Sequence, residues 1–109
     1  MTRIDEKKNC ETLGILVNTD DHPDYVISLA RAARIKGKMV RLHFSGPGVL
    51  LLYETEMGEI RDFAHATACA ESLARYGHPA AKEQLVGIQI VPATELGRFI
   101  SDCQRYVTF

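Results

Sequence analysis

Leu13-Gly14-Ile15-Leu16-Val17-Asn18 is an apolar run with almost no polar interruption, flanked on both sides by charged or turn-forming residues. A strand with one wet face alternates apolar and polar side chains, so an unbroken run reads as a strand covered on both faces, as in a parallel sheet. The residues after it agree. The polar cluster Thr19-Asp20-Asp21-His22-Pro23-Asp24 ends the strand, offers capping side chains and supplies a proline suited to a helix's first turn. Val26, Leu29, Ala30 and Ala33 then recur at helical spacing on one face, and Gly37 is placed to stop the helix. Met39-Val40-Arg41-Leu42-His43-Phe44 reads as a second strand. Strand, helix, strand is the crossover that a parallel pair requires, and its hand is nearly always right.

The rest of the chain continues the alternation. Ser45-Gly46-Pro47-Gly48 is a tight turn at the carboxyl end of the second strand, and Val49-Leu50-Leu51-Leu52-Tyr53 fits either a short buried helix or a strand, the helix being favoured because a crossover must precede the next strand. A third strand is expected over residues 63–68, although Ile60, Phe63, Ala64 and Thr67 also fit a helical stripe. Either version leaves a boundary at Cys69, after which Ala70, Leu73, Ala74 and Gly77 have helical spacing and Gly77-His78-Pro79 forms a stop. Residues 80–85 connect to a fourth strand over 86–91. Thr94 is the expected N-cap of a helix burying Leu96, Phe99, Ile100 and Cys103, and residues 105–109 form a fifth strand. This pattern predicts a three-layer α/β/α sandwich around a five-stranded, mostly parallel sheet of the flavodoxin-like kind. Residues 13–109 form a single domain preceded by a charged, aperiodic arm over residues 1–12 that carries Cys10.

Charge gives no reason to expect nucleic acid or an anionic membrane as partner, since 13 basic and 14 acidic side chains nearly cancel. No apolar run approaches the roughly 20 residues that cross a bilayer, and the polar start Met1-Thr2-Arg3-Ile4-Asp5-Glu6-Lys7-Lys8 lacks a signal peptide's apolar core, so a cytoplasmic protein is expected. The 3 cysteines are too few and too widely spaced for a disulfide framework or a zinc site, and neither HxxxH nor CxxC occurs. No metal and no cofactor are expected. Ser45-Gly46-Pro47-Gly48 lacks both the lysine of a Walker loop and the glycine spacing of a dinucleotide fingerprint. Helix capping is the simpler account of Asp20, Asp21 and Asp24, with a magnesium or acid/base cluster the alternative.

Ligand sites in open α/β sheets lie beyond the carboxyl ends of the strands. Four places meet there: Asn18-Thr19-Asp20, Ser45-Gly46, Cys69, and Pro92-Ala93. Cys69 is the only strong nucleophile among them. Beside the first peptide groups of a helix, its sulfur would face the N–H groups of Ala70 and Glu71, which suit a thiolate or persulfide, although the charge of Glu71 opposes them. The chemistry that needs no more than this is sulfur transfer, in which a persulfide on one thiolate passes to another. His65 touches the thiol only if its segment is helical, whereas His43 reaches the same pocket from the second strand. His22 and His78 read as loop residues, and Cys103 as core.

Taken together, Gly14-Ile15-Leu16-Val17-Asn18, Phe44-Ser45-Gly46-Pro47-Gly48-Val49, Ala68-Cys69-Ala70-Glu71-Ser72-Leu73, Gly87-Ile88-Gln89-Ile90-Val91-Pro92-Ala93 and Tyr106-Val107-Thr108-Phe109 resemble, in order and spacing, the DsrE/DsrF/TusD-like family of small sulfur-relay proteins. The resemblance runs over residues 13–109. It implies a five-stranded parallel sheet between helices, assembly into homo- or hetero-oligomers, sulfur donor and acceptor proteins as partners, and a persulfide carried on the cysteine at position 69. Asn18, Thr19, Ser45, Gly46, Ala70 and Glu71 are the substrate-binding residues expected around it. The alternatives are a noncatalytic DsrE-like binding module with Cys69 merely packed, and a thiol redox sensor pairing Cys69 with Cys10 or Cys103.

Overall fold

A computed structural model describes residues 11–60, 64–78 and 84–109. The arm expected over residues 1–12 lies outside these, Cys10 included, except for its last two residues, which belong to the fold. The carbonyl of Glu11 accepts from Met39 N–H at 2.9 Å, and Thr12 opens the first strand.

The strands are β1 (Thr12–Val17), β2 (Met39–Phe44), β3 (His65–Cys69), β4 (Gln89–Val91) and β5 (Arg105–Thr108), and the sheet order is β4-β3-β2-β1-β5. Every neighbouring pair is parallel. Three successive crossovers step in one direction, from β1 out to β4, and the last doubles back to place β5 on the far side of β1. With right-handed crossovers, the first three connections cover one face of the sheet and the last covers the other. The result is the expected three-layer α/β/α sandwich.

The first face carries the core. In β1, β2 and β3 the residues Ile15, Val17, Val40, Leu42, Phe44, Ala66 and Ala68 point to it, and helix α1 (Pro23–Ile35) packs Val26, Ile27, Ala30 and Ala33 against them. The early part of the next crossover is a 3-10 helix (Gly46–Tyr53) that adds Val49, Leu51 and Leu52, followed by a second (Thr55–Gly58) that adds Met57. Gly48 lets the first of these start, since a Cβ there would sit 2.1 Å from the Val17 carbonyl oxygen. Helix α2 (Ala70–Tyr76) closes this layer. The opposite face is covered by α3 (Leu96–Asp102), of which only Phe99 is buried.

Several expected boundaries move, the first strand by one residue to Thr12–Val17 and the fifth to end at Thr108. The third strand runs to Cys69 and starts at His65, with position 63 outside the described residues. The fourth shrinks from residues 86–91 to Gln89–Val91 because Gly87 adopts φ 90°, a left-handed conformation incompatible with a strand. Thr94 does not cap α3; it lies inside a 3-10 turn (Ala93–Glu95) that feeds the helix, and Leu96 and Ile100 remain partly or largely exposed. His22, without a side-chain cap bond, occupies the N-cap of α1, and Asp20, Asp21 and Asp24 are all exposed. Pro23 and the charge of Asp24 in the first turn support that helix start instead.

Candidate functional site

Most of the expected rim assembles. At the carboxyl ends of the strands, Ser45 Oγ donates to Asn18 Oδ1 at 2.5 Å, and Gly46 N–H donates to Ser72 Oγ at 2.7 Å, joining the loops after β1 and β2 to the start of α2. Gly46 reaches this position with φ 54°, which glycine adopts freely. Thr19 makes no hydrogen bond to this set among the described residues. Sequence reasoning misses Ser72, the hydroxyl that ties the two halves together.

Cys69 ends β3 and is itself the N-cap of α2, the strand-to-helix junction expected of it. Its side chain does not open to solvent: the residue is 5% exposed. Sγ donates to Glu71 Oε1 at 3.6 Å, and the same oxygen accepts from Ala93 N–H at 3.1 Å. Hydrogen bonds from the Glu71 backbone and from Ala93, with a smaller contribution from Cys69, hold the Glu71 carboxyl below the usual carboxylate range. The charged carboxylate therefore stays beside the sulfur near neutral pH. The Glu71 N–H, expected to serve a thiolate, is among the groups that hold its own carboxylate down. Ala70 turns the other way and lines an apolar cavity of about 630 Å³ with Tyr53, Leu73, Leu85 and Ile90.

His65 is on a strand, four residues before Cys69, and at about 3.3 Å per residue its ring is too far along the chain to reach the thiol. His22 stacks on Tyr25 with ring centroids 5.0 Å apart, and His78 donates its N–H to Tyr53 Oη at 2.9 Å. Cys103 packs near the far edge of the sheet, so close to Gly14 that a Cβ there would lie 2.7 Å from its sulfur. Burial pushes the Cys103 thiol up, Arg41 draws it down and Asp102 pushes it up again. Cys69 and Cys103 cannot form a disulfide in this fold. β3 and β5 are separated by two strands, about 14 Å across the sheet at ~4.8 Å per step, and bridged cysteines need Cα atoms within about 7 Å.

The sequence singles out His43 as reaching the Cys69 pocket, but on the second sheet face it lines a different cavity, one that Cys69 does not border. In-register residues of parallel strands share a face, so Leu16, His43, Thr67 and Gln89 form one row and Gly14, Arg41 and His65 the next. A cavity of about 180 Å³ opens between these rows and α3, bounded by Arg41, His43, Thr67, Gln89, Arg98 and Phe99 among others. His43 is 2% exposed, and its Nδ1 lies 2.8 Å from Thr67 Oγ1, which in turn donates to the Leu42 carbonyl at 3.3 Å. Both contacts are hydrogen bonds at once only if Nδ1 carries the proton, which leaves Nε2 as an acceptor. Burial lowers the pKa of the ring from 6.5, keeping it neutral. The signal was available: polar residues alternate with apolar ones at Arg41 and His43 and again at His65 and Thr67, whereas a parallel strand covered on both faces is apolar throughout.

Among the described residues no group of three or more His, Cys, Asp or Glu side chains could hold a metal, and no helix is long and apolar enough to cross a membrane. Comparison with protein-family models and with curated proteins finds no match.

Proposed function

We propose that the chain is a DsrE-like persulfide carrier in intracellular sulfur trafficking, with Cys69 as both acceptor and donor. The observation that carries this reading is the position of Cys69: the last residue of β3 and the cap of α2, at the rim where the β1 and β2 loops converge. In the transfer, the Cys69 thiolate attacks the terminal sulfur of a donor's persulfide. The donor leaves as a thiolate, and the new persulfide on Cys69 is then attacked in the same way by an acceptor thiolate, so no electrons are gained or lost overall. The partners are a sulfur-donor and a sulfur-acceptor protein, and the unit is a homo- or hetero-oligomer in the cytoplasm. Apolar side chains exposed at the two sheet edges, Ile90 at 51% and Tyr106 at 50%, are consistent with assembly.

Mass spectrometry tests the proposal. Incubation with a persulfide donor should add one sulfur atom to Cys69, and Cys69→Ser should abolish loading while leaving the thermal melt close to that of the unaltered chain. A Cys69 that neither alkylates nor gains sulfur in the folded protein overturns the carrier. One observation favours a second reading, a noncatalytic binding module: the thiol is almost sealed and tied to a carboxylate. Under that reading Cys69→Ser lowers the melting temperature and sulfur never loads.

A further inference from the structure

We infer that the cavity between the second sheet face and α3 binds a small hydroxy-carboxylate, whose carboxylate is taken by Arg41 and Arg98 and whose hydroxyl donates to Nε2 of His43. The inference is independent of Cys69, which does not line that cavity.

The unsatisfied group is His43. A ring atom that can hydrogen-bond rarely stays buried without a partner, because burying it unpaired costs about as much as losing a hydrogen bond. Nδ1 is bonded to Thr67, yet Nε2 has no hydrogen-bond partner among the described residues, although the residue is 2% exposed and forms part of the cavity wall. The tautomer set by Thr67 makes Nε2 an acceptor, so the ligand must bring a donor such as a hydroxyl.

The charge of the wall selects the rest of the molecule. Arg41 and Arg98 are its cations and Glu95 its single anion. Arg41 contacts Asp102 at 3.2 Å and lies over the Phe99 ring, and Arg98 contacts Glu95 at 3.7 Å. Each guanidinium carries five N–H donors, so one carboxylate partner leaves others free for a ligand. With Arg41 facing Asp102 and Arg98 facing Glu95, the two pairs are already neutral, so a singly charged carboxylate adds less uncompensated charge than a doubly charged phosphate or sulfate. The volume of about 180 Å³ equals roughly six waters at ~30 Å³ each, room for an acid of about three or four carbons.

Titration of the full chain with lactate and with glycerate, followed by NMR of the imidazole and guanidinium nitrogens, tests the assignment. Propionate, which lacks the hydroxyl, and inorganic phosphate form parallel arms. Saturable shifts of the His43 ring signals are expected, with propionate about tenfold weaker and phosphate weaker still. Arg98→Gln, at a side chain that is 75% exposed and so replaceable without loss of fold, should weaken lactate about tenfold, whereas Cys69→Ser should leave it unchanged. Three results would each overturn the inference: no saturable His43 shift with either hydroxy acid in folded protein, propionate binding as tightly as lactate, or phosphate binding more tightly than both.

Discussion

Glu71 decides how Cys69 behaves. Its carboxylate accepts from the thiol and from Ala93 N–H together, so it both anchors the sulfur and sets negative charge against it. Glu71→Gln keeps an acceptor and removes the charge. We expect alkylation of Cys69 near neutral pH to rise roughly fivefold, measured by timed iodoacetamide labelling, because the sulfur's anion loses a repulsive neighbour. A second residue-scale expectation concerns His43. Its folded pKa is depressed below 6.5, so the unfolded chain binds more protons there, and stability must fall as pH drops below that value until the folded pKa is reached. One buried imidazole contributes a slope of up to about 1.4 kcal/mol per pH unit in that window. Urea melts between neutral and mildly acidic pH should show the loss, and His43→Gln should flatten it. From sequence, Cys69 was legible as the junction thiol, because strand and helix patterns both point to it. Its contact with Glu71 was legible only as a nearby charge. Whether a side chain two positions on turns back toward the sulfur depends on the loop after β4, which supplies the Ala93 N–H.

At the scale of elements, the two sides of the sheet are built differently. The first 3-10 helix can begin under β1 only because position 48 has no side chain, so Gly48→Ala should cost about 2 kcal/mol or more in urea denaturation, the Cβ meeting rigid backbone rather than a movable side chain. α3 depends on one ring. Phe99 is 4% exposed and is the only buried residue of that helix, so Phe99→Ala should remove about 3–5 kcal/mol. The elements with strong periodicity were readable: α1 and β2 fall where the hydrophobic pattern puts them. Those set by backbone conformation were not, since the left-handed turn at Gly87 shortens β4 by an amount that no apolar pattern encodes.

For the whole molecule, alternation of strands and helices announced a parallel sheet but not its order. The order depends on which direction each crossover takes, and that choice is made by packing among distant segments, such as α1 against the 3-10 region and α2 against Tyr53 and its neighbours. The proposed assembly also belongs to this scale. Sedimentation equilibrium should report a dimer or larger species, and Ile90→Lys, which charges an exposed edge strand, should shift it toward monomer; a monomer at all concentrations counts against assembly through that edge. Because α1, both 3-10 helices and α2 share one face, the other is held by a seven-residue helix with a single anchor. In hydrogen exchange, amides of β1 and β2 should therefore be the slowest, and those of β4, α3 and β5 should open first without loss of the main core. The Ala93–Glu95 turn belongs to that region and is tied to Cys69 through Glu71, whose carboxylate accepts from both Ala93 N–H and the thiol. Labelling of the thiol then follows the frequency with which this corner lifts, so a partner that pries up the β4 end would act as the key to a latch.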